Sequence, residues 1–365
     1  MNFKSIFVFI LMFATISINA QVLKDAANKD EIINSLTLAM DIHTPISKDS
    51  LKALTHYENL YRSQDMGLAN AWGLYYNSDN NVYEIAIRGS INSTLSWLAN
   101  YYAAMIPANG SIEIANNKIV SYKFSSDDRA SVHSGWTIST LYLLEDIKPK
   151  LDSIIHTGAR DIIISGHSQG AAIATLITAY FYQQKEANIL PLDLNIKTYA
   201  LAVPKPGNLY FAYQYEKMTK LWSYSIVNTQ DWVPEVPPTT QTFYDFNTIS
   251  PLSESELKST FKKISWPKRI IAKTIFSGIE RKPVKSVKKY KKYLGHFVFK
   301  EINKSLPELK EPTYRFESGY TRCSNPIVLD GLHDQEYQKE FNIPDFIMTH
   351  HNPPAYIFLA KKYLD

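Results

Sequence analysis

Ser168 stands at the centre of Gly166-His167-Ser168-Gln169-Gly170, between a short apolar run at residues 160–165 and a small-residue run at 171–176. A serine hydroxyl is a weak nucleophile until it is exposed on a strained strand-to-helix turn. There a base can reach it, and backbone N–H groups can hold the negative charge that develops on the attacked carbonyl oxygen. Gly166 and Gly170 keep Cβ atoms out of that turn, and Ala171 and Ala172 let the following helix approach the sheet closely. The flanking strand-like and helix-like runs, more than the five-residue pattern, carry the reading of a nucleophile elbow.

A serine on such an elbow needs a carboxylate and then an imidazole, both later in the chain. Asp231 follows the apolar stretch at 221–227, the position expected of an acid in a loop just past a strand, whereas Asp193 precedes a strand and fits less well. Four histidines come after Asp231: His296, His333, His350 and His351. His296 lies in an apolar run that reads as a strand, where a structural histidine is the better reading. His333 sits in a polar turn and stays open, as do His350 and His351 at the mouth of the last helical stretch. An imidazole suits the task because its pKa lies near working pH, so it can take the serine proton and return it to the leaving group.

The elements that must hold these residues follow from periodicity. Residues 72–76 and 82–87, separated by Asn77-Ser78-Asp79-Asn80-Asn81, predict a β-hairpin. Residues 135–155 and 170–184 predict helices, 196–202 and 221–227 predict buried strands with a helical stretch between them, and 354–364 predicts a terminal helix. Strands alternating with helices imply an α/β fold with a mainly parallel sheet covered on both faces. Residues 249–292 read as an inserted basic amphipathic element in which Phe261, Ile264, Trp266, Ile270, Ile271, Ile275 and Phe276 interleave with charge. Residues 293–299 read as a strand that rejoins the sheet.

The net charge of +4 conceals a polarised chain: residues 258–304 carry 15 Lys and Arg against Glu280 and Glu301, a local +13 that leaves −9 for the remainder. Such a block suits either a solvated face or a landing patch for an anionic membrane surface. Cys323 is the sole cysteine, and the nine histidines include no His-Glu-x-x-His pair, so neither a metal nor another cofactor is implied. Met1 to Lys4, the apolar residues 6–16 and the small Ala20 before Gln21 form the pattern of a secretory signal, too short to span a bilayer comfortably. The expectation is an exported chain with cleavage near Ala20 and a single domain over residues 21–365. No nucleic-acid partner is expected.

Five motifs occur in one order: Ile87-Arg88-Gly89-Ser90, Val132-His133-Ser134-Gly135-Trp136, the elbow, Ala202-Val203-Pro204-Lys205-Pro206-Gly207-Asn208, and residues 227–234. With the closing His351-Asn352-Pro353-Pro354-Ala355-Tyr356, they make the chain resemble the class 3 lipases, the fungal triacylglycerol lipase type of α/β-hydrolase, discontinuously from Trp72 to Tyr356. The resemblance implies Ser168 as nucleophile, Asp231 as the acid and His351 as the base, the last chosen over His350 by its spacing to Tyr356. It further implies an oxyanion hole from the backbone N–H of Gln169 and from Ser90, with His133 and His167 in structural roles. A lid is implied over residues 92–101, with Leu95, Trp97, Leu98 and Tyr101 covering the pocket; a plain surface helix is the other reading. Ala171 stands where the family commonly has another glycine, and Gln169 where it commonly has an apolar residue. The implied activity is hydrolysis of lipid carboxylic esters through an acyl-enzyme, with phospholipid acyl chains (a phospholipase A1) or small and aryl esters as alternative substrates. A non-catalytic membrane-surface binding protein is the alternative of another class.

Overall fold

The computed structural model describes residues 23–247, 249–341, 343 and 346–364, so the secretory signal expected over residues 1–20 lies outside the described residues. The chain opens with helices α1 (Lys29–His43) and α2 (Lys48–Thr55), capped by the Asn28 and Ser47 side chains. Strands β1 (Tyr57–Arg62), β2 (Trp72–Asn77) and β3 (Val82–Ile87) follow, then helix α3 (Thr94–Tyr101). Strands β4 (Met105–Pro107), β5 (Asn109–Ala115), β6 (Lys118–Lys123) and β7 (Ser131–His133) lead into helix α4 (Ser134–His156). The central part runs β8 (Asp161–His167), α5 (Gln169–Glu186), β9 (Asn195–Leu201), β10 (Gly207–Asn208), α6 (Leu209–Thr219) and β11 (Ser223–Asn228). Last come α7 (Glu254–Lys263), α8 (Trp266–Lys291), α9 (Val298–Asn303), β12 (Tyr320–Thr321), β13 (Asn325–Leu329), α10 (Gln335–Phe341) and α11 (Pro353–Tyr363).

The main sheet has the order β1-β2-β3-β8-β9-β11-β13. Its first three strands are antiparallel neighbours, and from β3 to β13 every pairing is parallel. Parallel strands joined by helices are covered on both faces, which is why Asp161–His167 reads as a continuous buried run. Helices α4 and α5 close one face around Trp136, Leu141, Ile173 and Ile177; α1 and α11 close the other around Ile32, Leu36, Tyr356 and Leu359. This is the α/β-hydrolase arrangement expected from the alternation of strands and helices. A small sheet, β12-β10-β7-β4, and the β5–β6 hairpin flank it.

The expected strand at 293–299 is instead helical: a π turn spans Lys292–Phe297 and runs into α9. Its composition of Tyr, Phe and Val mimics a strand, but the buried positions are Gly295, Val298 and Ile302, spaced three and four apart as on one helix face. His296 consequently faces outward, exposed and paired with Glu311 at 2.8 Å, and not within a sheet. The basic insertion forms two packed helices, α7 and α8, joined by the contact of Phe261 with Phe276.

Candidate functional site

The turn from β8 to α5 holds Ser168 at φ 59°, ψ −128°, a conformation that L-residues rarely adopt. The turn can be this tight because a Cβ on Gly166 would stand 2.3 Å from the Gly170 carbonyl oxygen, and one on Gly170 would stand 2.3 Å from that of Ile87. The Ser168 N–H donates to the Leu201 carbonyl at 2.9 Å, tying the elbow to the next strand.

Asp231 sits three residues past the end of β11, its N–H donating to the Asn228 carbonyl at 3.0 Å. Its Oδ1 accepts the Val233 N–H at 2.9 Å, and its Oδ2 accepts both His351 Nδ1–H and the Tyr356 hydroxyl at 2.7 Å. In the neutral ring, donation from Nδ1 makes Nε2 the acceptor nitrogen, and that atom is buried without a hydrogen-bond partner among the described residues. His351 and Ser168 line the same cavity. His167 fixes the same residue from behind: its Nε2–H donates to the His351 carbonyl at 2.7 Å, with the ring centroids 4.6 Å apart. Burial, reinforced by the His351 ring, holds the His167 pKa well below the ordinary imidazole value, so it serves as a neutral strut.

The other candidates from the sequence lie elsewhere. The His350 ring meets the Tyr337 hydroxyl at 2.8 Å, His333 pairs with Asp330 at 2.9 Å on the surface, and Asp193 pairs with Arg160 at 2.9 Å.

Ser90 lines the same cavity, and its Oγ accepts from Asn100 Nδ2 at 2.8 Å, a bond that does not use its hydroxyl proton. Asn100 Oδ1 accepts from Trp136 Nε1 at 3.0 Å and from Gln169 Nε2 at 2.8 Å, and the Asn100 carbonyl accepts from His133 Nε2 at 3.0 Å. Burial pushes the His133 pKa down to about 3, so it stays neutral while stacked on Trp136 at 3.7 Å. Gln169 also donates to the Ser96 carbonyl at 3.0 Å, so the polar residue that departs from the family pattern fastens α3 to the elbow. The Gln169 N–H lies in the first turn of α5, where backbone donors have no intrahelical partner. Along α3, Leu95 and Leu98 pack against the core, while Trp97 and Tyr101 are exposed, stack at 6.2 Å and line the cavity.

That cavity, about 1120 Å³, is lined among others by Met40, Ile46, Trp97, Trp136, Leu294 and Met348. It sits at the upper end of the usual range for small-molecule sites and is mostly apolar, as a pocket for hydrocarbon must be. Sequence reasoning missed Asn100, which reads as one more polar residue of a lid, and took Tyr356 only as a spacing mark when its hydroxyl holds the acid. It also missed His43, which lines the cavity from the end of α1.

The family model for lipase (class 3) matches residues 84–241, which include Ser90, the elbow and Asp231 but stop short of His351. No curated protein sequence matches the chain. Among solved structures, it is similar to a Rhizomucor miehei lipase propeptide complex (22% identity over 58% of this chain and 64% of that one, TM-score 0.44). It is likewise similar to lipase II from Rhizopus niveus (20% identity, 58% and 77% covered, TM-score 0.45). A lipase from Rhizopus microsporus var. chinensis gives 18% identity, 58% and 71% covered, and a TM-score of 0.42. The chain spans less than two thirds of the length of the Rhizomucor protein. The match over residues 84–241 is a similarity to the class 3 lipases that covers less than half of the chain.

Proposed function

We propose that this protein is an exported serine hydrolase that cleaves carboxylic ester bonds of lipids through an acyl-enzyme. The observation that carries the reading is the buried Asp231–His351 pair at 2.7 Å, with Nε2 of that ring left without a partner among the described residues, beside the cavity that both His351 and Ser168 line. In the proposed reaction, His351 Nε2 takes the Ser168 proton as Oγ attacks the ester carbonyl carbon, and Asp231 stabilises the resulting imidazolium. The Gln169 N–H and Ser90 hold the oxyanion. Collapse expels the alcohol, protonated by His351, and a water then attacks the acyl-serine by the same route in reverse.

The apolar cavity favours an acyl chain, and the basic segment 258–304 supports contact with an anionic membrane. On α8, Ile271, Ile275 and Ile279 form an exposed row four residues apart, with Lys268, Arg281 and Lys282 close by, which suits a helix lying in a lipid interface. Trp97 and Tyr101, exposed and lining the cavity, would take the part of a lid and meet lipid. Hydrolysis of p-nitrophenyl esters, triacylglycerol and phospholipid by wild type and by Ser168→Ala tests the activity. Turnover lost in the variant supports the reading, and equal turnover or none in either contradicts it. Sedimentation with anionic vesicles tests the membrane contact: binding that weakens at high salt is expected, and salt-insensitive or absent binding contradicts it.

A further inference from the structure

The end of α1 lies outside the matched family segment, yet it builds one wall of the cavity. Buried Asp41 makes this wall rigid. Its Oδ2 accepts from Arg62 Nη2 at 2.6 Å and from the Tyr75 hydroxyl at 2.7 Å, and its Oδ1 accepts the Ile46 N–H at 2.7 Å. The turn from His43 to Ile46 is thereby held before any ligand arrives.

The His43 and Thr44 side chains on this turn are open to the cavity, and neither makes a hydrogen bond to any described residue. His43 Nε2 lies 3.3 Å from the point where a Cβ on Gly89 would stand, and Ser168 Cβ lies 3.5 Å from the same point. The imidazole nitrogen and the nucleophile's Cβ therefore both lie close to Gly89, the residue before Ser90. Enclosure by the cavity walls, and then the Arg88 charge, lower the pKa of this solvent-reachable His43, and the neutral ring can both donate and accept. The cavity it lines is mostly apolar, with Met40, Ile46, Phe346 and Met348 among its lining, so a polar group there gains most from a ligand that pairs with it.

His167, whose carbonyl oxygen lies 2.8 Å from that same point beside Gly89 and whose ring stands 4.6 Å from the His351 ring, puts His43 on the His351 side of the cavity. In ester cleavage that imidazole must hand its proton to the departing alcohol oxygen, which places the alcohol portion on the same side. We propose that His43 and Thr44 form a polar subsite for the alcohol portion of the ester, taking a hydroxyl-bearing glycerol unit. The subsite rests on the hydrolase reading above and adds its leaving-group preference.

The test compares kcat/KM on 1-monobutyroylglycerol and on propyl butyrate, two soluble esters that share an acyl group and differ by hydroxyls on the alcohol. Wild type is expected to favour the glycerol ester by about tenfold or more, since a site built to bond a hydroxyl discriminates against the analogue that lacks it. His43→Leu should bring the ratio of the two down toward one, and His43→Asn should restore part of it. A ratio unmoved in a folded His43→Leu overturns the proposal. So does a wild-type ratio at or below one, which needs no variant and decides the matter if His43→Leu does not fold. Hydrolysis of neither ester by wild type overturns the hydrolase reading and this subsite with it, whereas hydrolysis of both without preference overturns the subsite alone.

Discussion

Helices α5 and α8 are both long, yet they are held by different forces. Helix α5 buries its side chains from Gln169 through Phe181, with small residues pressed against the sheet. Helix α8 buries Val287 and leaves Trp266 71% and Ile271 62% exposed. One is fixed by tertiary packing, and its sequence is dictated by the space available. The other stands on helix propensity and a narrow line of contacts, among them Phe276 against Phe243, so its sequence is free to serve an outer surface. Placement of the nucleophile belongs to the first kind of element, and any contact with lipid to the second.

Glycine breaks this comparison most sharply. Gly170→Ala should destabilise the fold by about 3 kcal/mol or more, because the new Cβ meets the Ile87 carbonyl oxygen and the Arg88 backbone with no flexible atom to yield. Thermal or denaturant unfolding measures it, and a change below about 1 kcal/mol contradicts the account of the elbow.

Charge gives the next effect. Glu84 on β3 is fully buried beside the elbow strand, where the Ser165 hydroxyl donates to it at 2.5 Å. Burial outweighs that bond and raises its pKa from 4.5 to about 7. Between those values the folded chain retains a proton that the unfolded chain has released, so this residue's contribution falls as pH rises and levels off above about 7. Glu84→Gln should remove that slope, worth roughly 2 to 3 kcal/mol between pH 4.5 and 8. Stability curves at the two pH values check it, and an unchanged slope in the variant contradicts it. The smallest effect is on α8, where a Cβ on Gly278 meets nothing within 4 Å. Gly278→Ala should stabilise by about 0.5 to 1 kcal/mol, and any loss of unfolding midpoint would deny that this helix is free of packing constraints.

The same contrast explains what could be read from the chain in advance. Strand β8 and helix α5 were legible because glycine punctuation and apolar periodicity are local signals tied to a demanding geometry, whereas only the family resemblance singled out His351 from His350. Residues 293–299 were not, since their aromatic and β-branched composition resembles a strand while their burial depends on contacts of Gly295 with Ala104 and Tyr314, far away in sequence. Asn100 could not be singled out because its role consists of bonds to Ser90, Trp136 and Gln169 that only the folded chain brings together. His43 precedes every recognisable motif, and nothing near it in sequence announces that α1 ends beside the nucleophile.

The central claim is that Asp231 and His351 activate Ser168. Intact-mass and peptide analysis of the chain treated with a fluorophosphonate tests it most directly, comparing wild type with a folded His351→Ala. The account predicts rapid modification of Ser168 in wild type and labelling at least about 10³-fold slower in the variant. Equal labelling rates in the two proteins, or an adduct on a residue other than Ser168, would contradict it.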